Sequence, residues 1–304
     1  MGAFKKLLTT IWRGLTFPFR MLWRGLRWLF TPFIKAYLAV HTYLTYEPEE
    51  NTVGDTVDKV IRSPSVLAPH INDLRKALFR ALLALALTTA VSFTFAENIL
   101  SFLSTPLPDG LDSLQAIEVT EPISVLMRIA LLSGFALGLP YLLLELIIFI
   151  GSGLSKSTRK FLIFGAIPSA IFLFFLGMAF AYYVMLPAAV PFLLGIFEFE
   201  TNVRASSYIR FVTGVMFWIG VTFQLPLIVY IVARLGWVEP QVLLKQWRVA
   251  VVMIAILAAV ITPTIDVVNM SLTMAPLIVL YFISVGLAFL AVRSRKRAQA
   301  KQPA

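Results

Sequence analysis

Cysteine is absent, and histidine occurs only as His41 and His70. The first absence excludes disulfides, thiolate-bound zinc, iron–sulfur clusters and a thiol nucleophile. The second leaves too few imidazoles for a histidine-based metal site, so neither a metal nor another cofactor is expected. Charge is scarce as well: Asp, Glu, Lys and Arg make up 14% of the chain, against about 25% in a soluble domain. No HExxH, GxSxG or Walker loop is present, and no apolar run holds a pair of carboxylates, so enzymatic activity is not expected. What fills the chain is hydrocarbon. Hydrophobic residues make up 59% of 304 positions, and the mean hydropathy is +0.85. Such a composition excludes a soluble globular enzyme, a disordered chain and a collagen-like module. It leaves an all-α integral membrane protein whose spans need about 20 residues each.

Six apolar spans are predicted, at about 77–96, 123–150, 161–186, 211–233, 249–262 and 271–292. The fifth is short for a full crossing. Basic residues flank the first span (Arg75, Lys76, Arg80) and fill the segments 151–160 and 234–248 and the tail 293–304, whereas 97–122 holds five acidic residues and no basic one. By the positive-inside rule both termini are cytoplasmic. Residues 1–46 carry seven basic residues and no acidic one, and repeat WRGL at 12–15 and 23–26. Eleven residues is about three helical turns, so Trp12 and Trp23 share a face. This basic, Trp-rich extension is predicted to lie on anionic lipid, although a disordered basic arm has the same composition. An acidic, polar linker follows at 47–66.

Polar groups inside spans are the first candidates for function, because hydrocarbon penalises them. Arg128 lies near the outer end of span two and Glu145 near its inner end; Gln224 sits mid-way in span four, two residues before Pro226. Gln224 cannot ionise, so it suits hydrogen bonding to another helix or a peptide backbone. Arg128 suits snorkelling to headgroups. Glu145 requires a basic partner or water. Prolines at 122, 140, 168, 187, 226, 263 and 276 are predicted to kink the spans and free carbonyls.

Several ordered segments resemble the TatC family, the multispanning receptor subunit of the twin-arginine protein translocase. They are HINDLRKAL at 70–78, STPLP at 104–108, EPISVLMRIAL at 121–131, GLSKSTRK at 153–160, GMAFAYYVMLPAAVPFL at 177–193, VTFQLPL at 221–227 and ITPTIDVVNMSLTMAP at 261–276. The resemblance covers about 66–292. It implies a concave six-helix array over 67–292 in a bacterial cytoplasmic (inner) membrane. Signal peptides of folded proteins would be recognised there for export driven by the proton gradient, with TatA- and TatB-type single-span proteins as partners in a homo- or hetero-oligomer.

Carried over residue by residue, the resemblance assigns signal-peptide binding to His70, Asp73, Leu74, Arg75 and Arg159. Thr158 stands where the family has a key glutamate, and Glu145 faces the same side as a candidate replacement. Gln224, Arg128 and Pro226 become intramembrane partner contacts. Pro106, Glu121, Pro122 and Asp266 match the external-loop motifs. Two further readings stand beside this one: a TatC-like paralogue acting as a scaffold in another membrane complex, and a small-solute channel or transporter lined by Arg128, Glu145 and Gln224.

Overall fold

A computed structural model describes residues 67–150, 156–195, 203–261 and 267–299. The extension 1–46, the linker 47–66, Asp266 and the last residues of the tail lie outside the described residues. One compact unit comprises Leu67–Ile147 and Phe161–Ala304, and Ile148–Lys160 belongs to another.

Long apolar runs form helices because lipid leaves every backbone polar group to be satisfied within the chain. α1 is Leu67–Phe93 and α2 is Ala96–Ser104; α3 runs from Glu121 to Ile150. α4 (Lys156–Phe161), α5 (Ile167–Phe180) and α6 (Leu186–Gly195) are joined through two π-helical turns, Leu162–Ala166 and Ala181–Met185. Each π turn holds the carbonyl that a following proline cannot pair: Phe164 for Pro168 and Tyr183 for Pro187. α7 (Ala205–Thr222) and α8 (Leu225–Leu235) form one span broken at Phe223 and Gln224. Gly236, at φ 86°, closes α8 in the left-handed conformation, with its amide and that of Trp237 both on the Val232 carbonyl. α9 (Pro240–Lys245), α10 (Trp247–Ile261) and α11 (Val267–Gln299) complete the order.

Five of the described helical segments are long and apolar enough to cross a membrane, and α10 is a shorter apolar helix of 15 residues. At 1.5 Å per residue α10 reaches about 22 Å, less than the roughly 30 Å hydrocarbon core. The expected boundaries shift in places. The segment 70–76, read as a flank, is the first part of α1. Pro276 lies inside a continuous α11 instead of interrupting it.

α1 and α3 are antiparallel: Thr89 meets Gly134, Thr88 meets Gly138, and Arg80 meets Glu145. Farther along, α5 and α7 cross where Gly177 and Gly220 face each other, since a Cβ on Gly177 would come within 2.9 Å of Gly220 Cα. Small residues are needed at such crossings, because lipid provides no hydrophobic drive and association depends on close backbone approach. The core is built from Leu103, Val125, Ile129, Leu186, Ile209, Val212, Ile219, Ile254 and Leu277. Outward faces stay apolar, as on α1 with Leu78, Phe79, Leu82 and Leu83 exposed.

Two irregular connections meet at the Glu121 end of the molecule. There β1 (Leu114–Gln115) pairs in parallel with β2 (Val203–Arg204), Leu114 opposite Val203 and Gln115 opposite Arg204.

Candidate functional site

At the His70 end, the opening turns of α1 present His70, Asp73, Leu74 and Arg75, all exposed. His70 and Asp73 or Leu74 are three or four residues apart, so they share one face. Asp73 lies 3.6 Å from Lys76, with both side chains more than half exposed. An exposed pair of this kind contributes about 0–1 kcal/mol, so the Asp73 carboxylate is free to exchange partners.

Deeper on the same helix, Arg80 meets Glu145. Its Nε and Nη2 donate to the two carboxylate oxygens at 2.7 Å each, and the Tyr141 hydroxyl donates to Oε1 at 2.7 Å. Glu145 is 7% exposed and Arg80 47%. The bidentate fork is the strong geometry for a guanidinium and a carboxylate. Glu145 thus has its basic partner within the chain, and an incoming arginine would have to displace Arg80. Arg159 is fully buried and Thr158 half-buried, both within the stretch Ile148–Lys160.

Mid-span, the break between α7 and α8 carries Gln224. Its Nε2 donates to the Ala170 carbonyl at 3.1 Å and, more weakly, to Gly220 at 3.5 Å. Pro226, buried at the start of α8, supplies no amide to the Thr222 carbonyl. The side-chain amide therefore ties α8 to α5 while remaining half-buried.

At the opposite end, Glu121 organises the irregular connections. Its carboxylate accepts from the amides of Ile117 and Glu118 at 3.0 and 3.3 Å and from that of Ser206 at 2.7 Å. Arg204 Nε donates to both oxygens at 3.2 Å, and its Nη2 donates to Glu118 at 2.6 Å. Hydrogen bonds to Glu118 and Glu121 raise the Arg204 pKa above its ordinary value. Ser206 lies in the first turn of α7, where a carboxylate satisfies an amide that the helix cannot. Two more side chains pin this end: Tyr182 donates to the Phe102 carbonyl at 2.7 Å and Tyr208 to that of Leu103 at 2.8 Å. Pro106 is half-buried and Pro122 exposed. Glu121→Ala is expected to cost about 2 kcal/mol, because the amides of Ile117, Glu118 and Ser206 lose their shared charged acceptor while Arg204 keeps Glu118. Thermal unfolding in detergent measures the loss, and faster proteolysis between 105 and 120 would locate it.

Arg128, Glu145 and Gln224 are not brought together: Arg80 holds Glu145, backbone carbonyls hold Gln224, and Arg128 is exposed on α3 with no hydrogen-bond acceptor among the described residues. A common channel lining is not what this arrangement provides. Sequence reasoning missed Tyr141, Arg204 and Ser206. The signal for Arg204 was present, since it is one of two cations among the acidic connections 97–122 and 187–210.

The family model for the Sec-independent protein translocase protein TatC matches residues 69–276. The TatC protein of Carboxydothermus hydrogenoformans is 31% identical over 227 residues, covering 74% of this chain and 93% of that protein. The TatC protein of Aquifex aeolicus is 30% identical over 239 residues, covering 77% and 98%. A crystal structure of the twin arginine translocase receptor TatC, 30% identical, superposes with a TM-score of 0.64 over 73% of this chain and 99% of that one.

Proposed function

Because the chain belongs to the TatC family of Sec-independent protein translocase proteins, we propose that it is the multispanning component of a twin-arginine translocase. In this reading it recognises the signal peptides of folded proteins for export driven by the proton gradient. The observation that carries it is the fit to the twin arginine receptor across 99% of that chain. The chain acts by binding, without covalent chemistry of its own. It crosses a bacterial cytoplasmic membrane six times, α10 being the short fifth span, with both termini inside. TatA- and TatB-type single-span proteins assemble around it.

The His70 end is then cytoplasmic, and the signal arginines meet the exposed face of His70, Asp73 and Leu74. Asp73 is the carboxylate there that only a weak surface pair occupies. A guanidinium prefers a planar bidentate acceptor, which an ammonium cannot exploit. Arg75 adds positive charge to this face, and Arg159 is a further signal-binding residue. The Gln224 amide and Pro226 contact partner or signal helices, Arg128 reaches the outer headgroups, and Glu121, Pro122, Pro106 and Asp266 shape the outer loops. Residues 1–46 bind the anionic inner leaflet, at about 1 kcal/mol per basic residue near the surface. A peptide of residues 1–46 that failed to bind anionic vesicles would remove this last assignment.

Expression in cells lacking their own subunit tests the reading. A reporter with a twin-arginine signal is expected to be exported, and its twin-lysine version is not. Asp73→Asn is expected to lower export about tenfold, the weight of one charge-assisted hydrogen bond. Gln224→Leu is expected to cost about 1 kcal/mol of stability, one hydrogen bond, and to reduce export further than that loss explains. The paralogue reading is favoured by Thr158 and by the engagement of Glu145 with Arg80. It predicts no export and stable co-purification with subunits of another complex.

A further inference from the structure

We propose that the cleft between α1 and α3 is a binding site for one anionic phospholipid, with an acyl chain in the cleft and its phosphate on Arg128. The cleft is lined by Leu82, Leu85, Ala86 and Phe93 of α1 and by Met127 and Leu131 of α3. Most of these side chains are exposed, so lipid must cover them.

Length selects the occupant. From Leu82 to Phe93 the cleft runs about 16 Å along α1, close to half of the roughly 30 Å hydrocarbon core. One leaflet's acyl chain fills that length, whereas a spanning helix would need twice as much. Beside it the two helices touch at Thr89–Gly134 and Thr88–Gly138, and below Leu82 they are tied by the Arg80–Glu145 pair, so the cleft is a groove along their seam. Above, Arg128 follows Met127 and lies one turn before Leu131, at the edge of the cleft.

Charge selects the headgroup. Arg128 is exposed and has no acceptor among the described residues, although it lies seven residues after Glu121, about 10 Å along the axis. Helical side chains lean toward the N-terminus, which carries this guanidinium back toward the Glu121 end and the headgroups. Its planar fork suits a phosphate. Arg210, exposed near the start of α7 and likewise without an acceptor among the described residues, is an internal control at the same end. Which leaflet supplies the lipid follows from the orientation proposed above; binding itself depends neither on that orientation nor on export.

Native mass spectrometry of the full chain in detergent tests the site, with dioleoyl phosphatidylglycerol and dioleoyl phosphatidylcholine as probes. One phosphatidylglycerol is expected to be retained about fivefold better than phosphatidylcholine, the weight of one arginine near an anionic headgroup. Arg128→Gln is expected to abolish the preference, and Arg128→Lys and Arg210→Gln to keep it. Ala86→Trp, which fills the cleft, is expected to reduce retention of both lipids. Equal retention of the two lipids overturns the proposal and leaves Arg128 to a carboxylate on a partner helix. Equal losses in Arg128→Gln and Arg210→Gln, or unchanged retention in Ala86→Trp, overturn it as well.

Discussion

Replacing Arg80 by Met is expected to destabilise the protein by about 4 kcal/mol, because it strands the Glu145 carboxylate inside the helix array. Glu145 is 7% exposed, and its two oxygens take both donors of the guanidinium fork. The Tyr141 hydroxyl alone cannot replace that charge. Replacing both residues by Met is expected to recover most of the loss, since an apolar pair in place of a buried ion pair is often neutral or stabilising. Thermal unfolding of the two single variants and the double variant in detergent gives the coupling energy. Additive losses would show that the pair contributes little beyond its separate side chains. Half of Arg80 remains exposed, so Glu145→Met is expected to be the milder single change.

Gly134→Val is expected to cost about 3 kcal/mol through overpacking. A Cβ at Gly134 would lie 2.6 Å from Thr89 Cα and 2.7 Å from Thr89 N. These are backbone atoms, so rotamer changes cannot relieve the clash, and Thr89→Ala is not expected to rescue it. Gly138 behaves differently. Its nearest neighbour is the Thr88 hydroxyl at 3.0 Å, with the other Thr88 atoms at 3.7 Å or beyond. Gly138→Ala is therefore expected to be mild and to be relieved by Thr88→Ala. Yield and melting temperature of the purified variants check the contrast. Equal tolerance of Val at 134 and Ala at 138 would mean that α1 and α3 are free to separate.

The spans were legible because helix formation in lipid depends on local composition alone. The runs 123–150 and 211–233 reappear as α3 and as α7 with α8. Boundaries were less so: α1 begins before the hydropathy rises, because its polar opening turns are helical too. The β1–β2 pair was not legible, since two-residue strands from distant segments carry no periodicity. At the site, the demand that Glu145 have a basic partner or water followed from its depth. That Arg80 meets it followed only from the antiparallel packing of α1 on α3, and the Tyr141 bond only from its place one turn before Glu145. Glu121 could be assigned to an outer motif, but not to the amide of Ser206 from a segment 85 residues away.

Signal recognition by this chain is most directly tested by equilibrium binding of a twin-arginine signal peptide to the purified full-length protein, against the same peptide carrying two lysines. The account predicts a preference of about tenfold for arginine, reduced by Asp73→Asn and unaffected by Arg128→Gln. Equal affinity for the two peptides, or no binding of either with the single-span partners supplied, would contradict it.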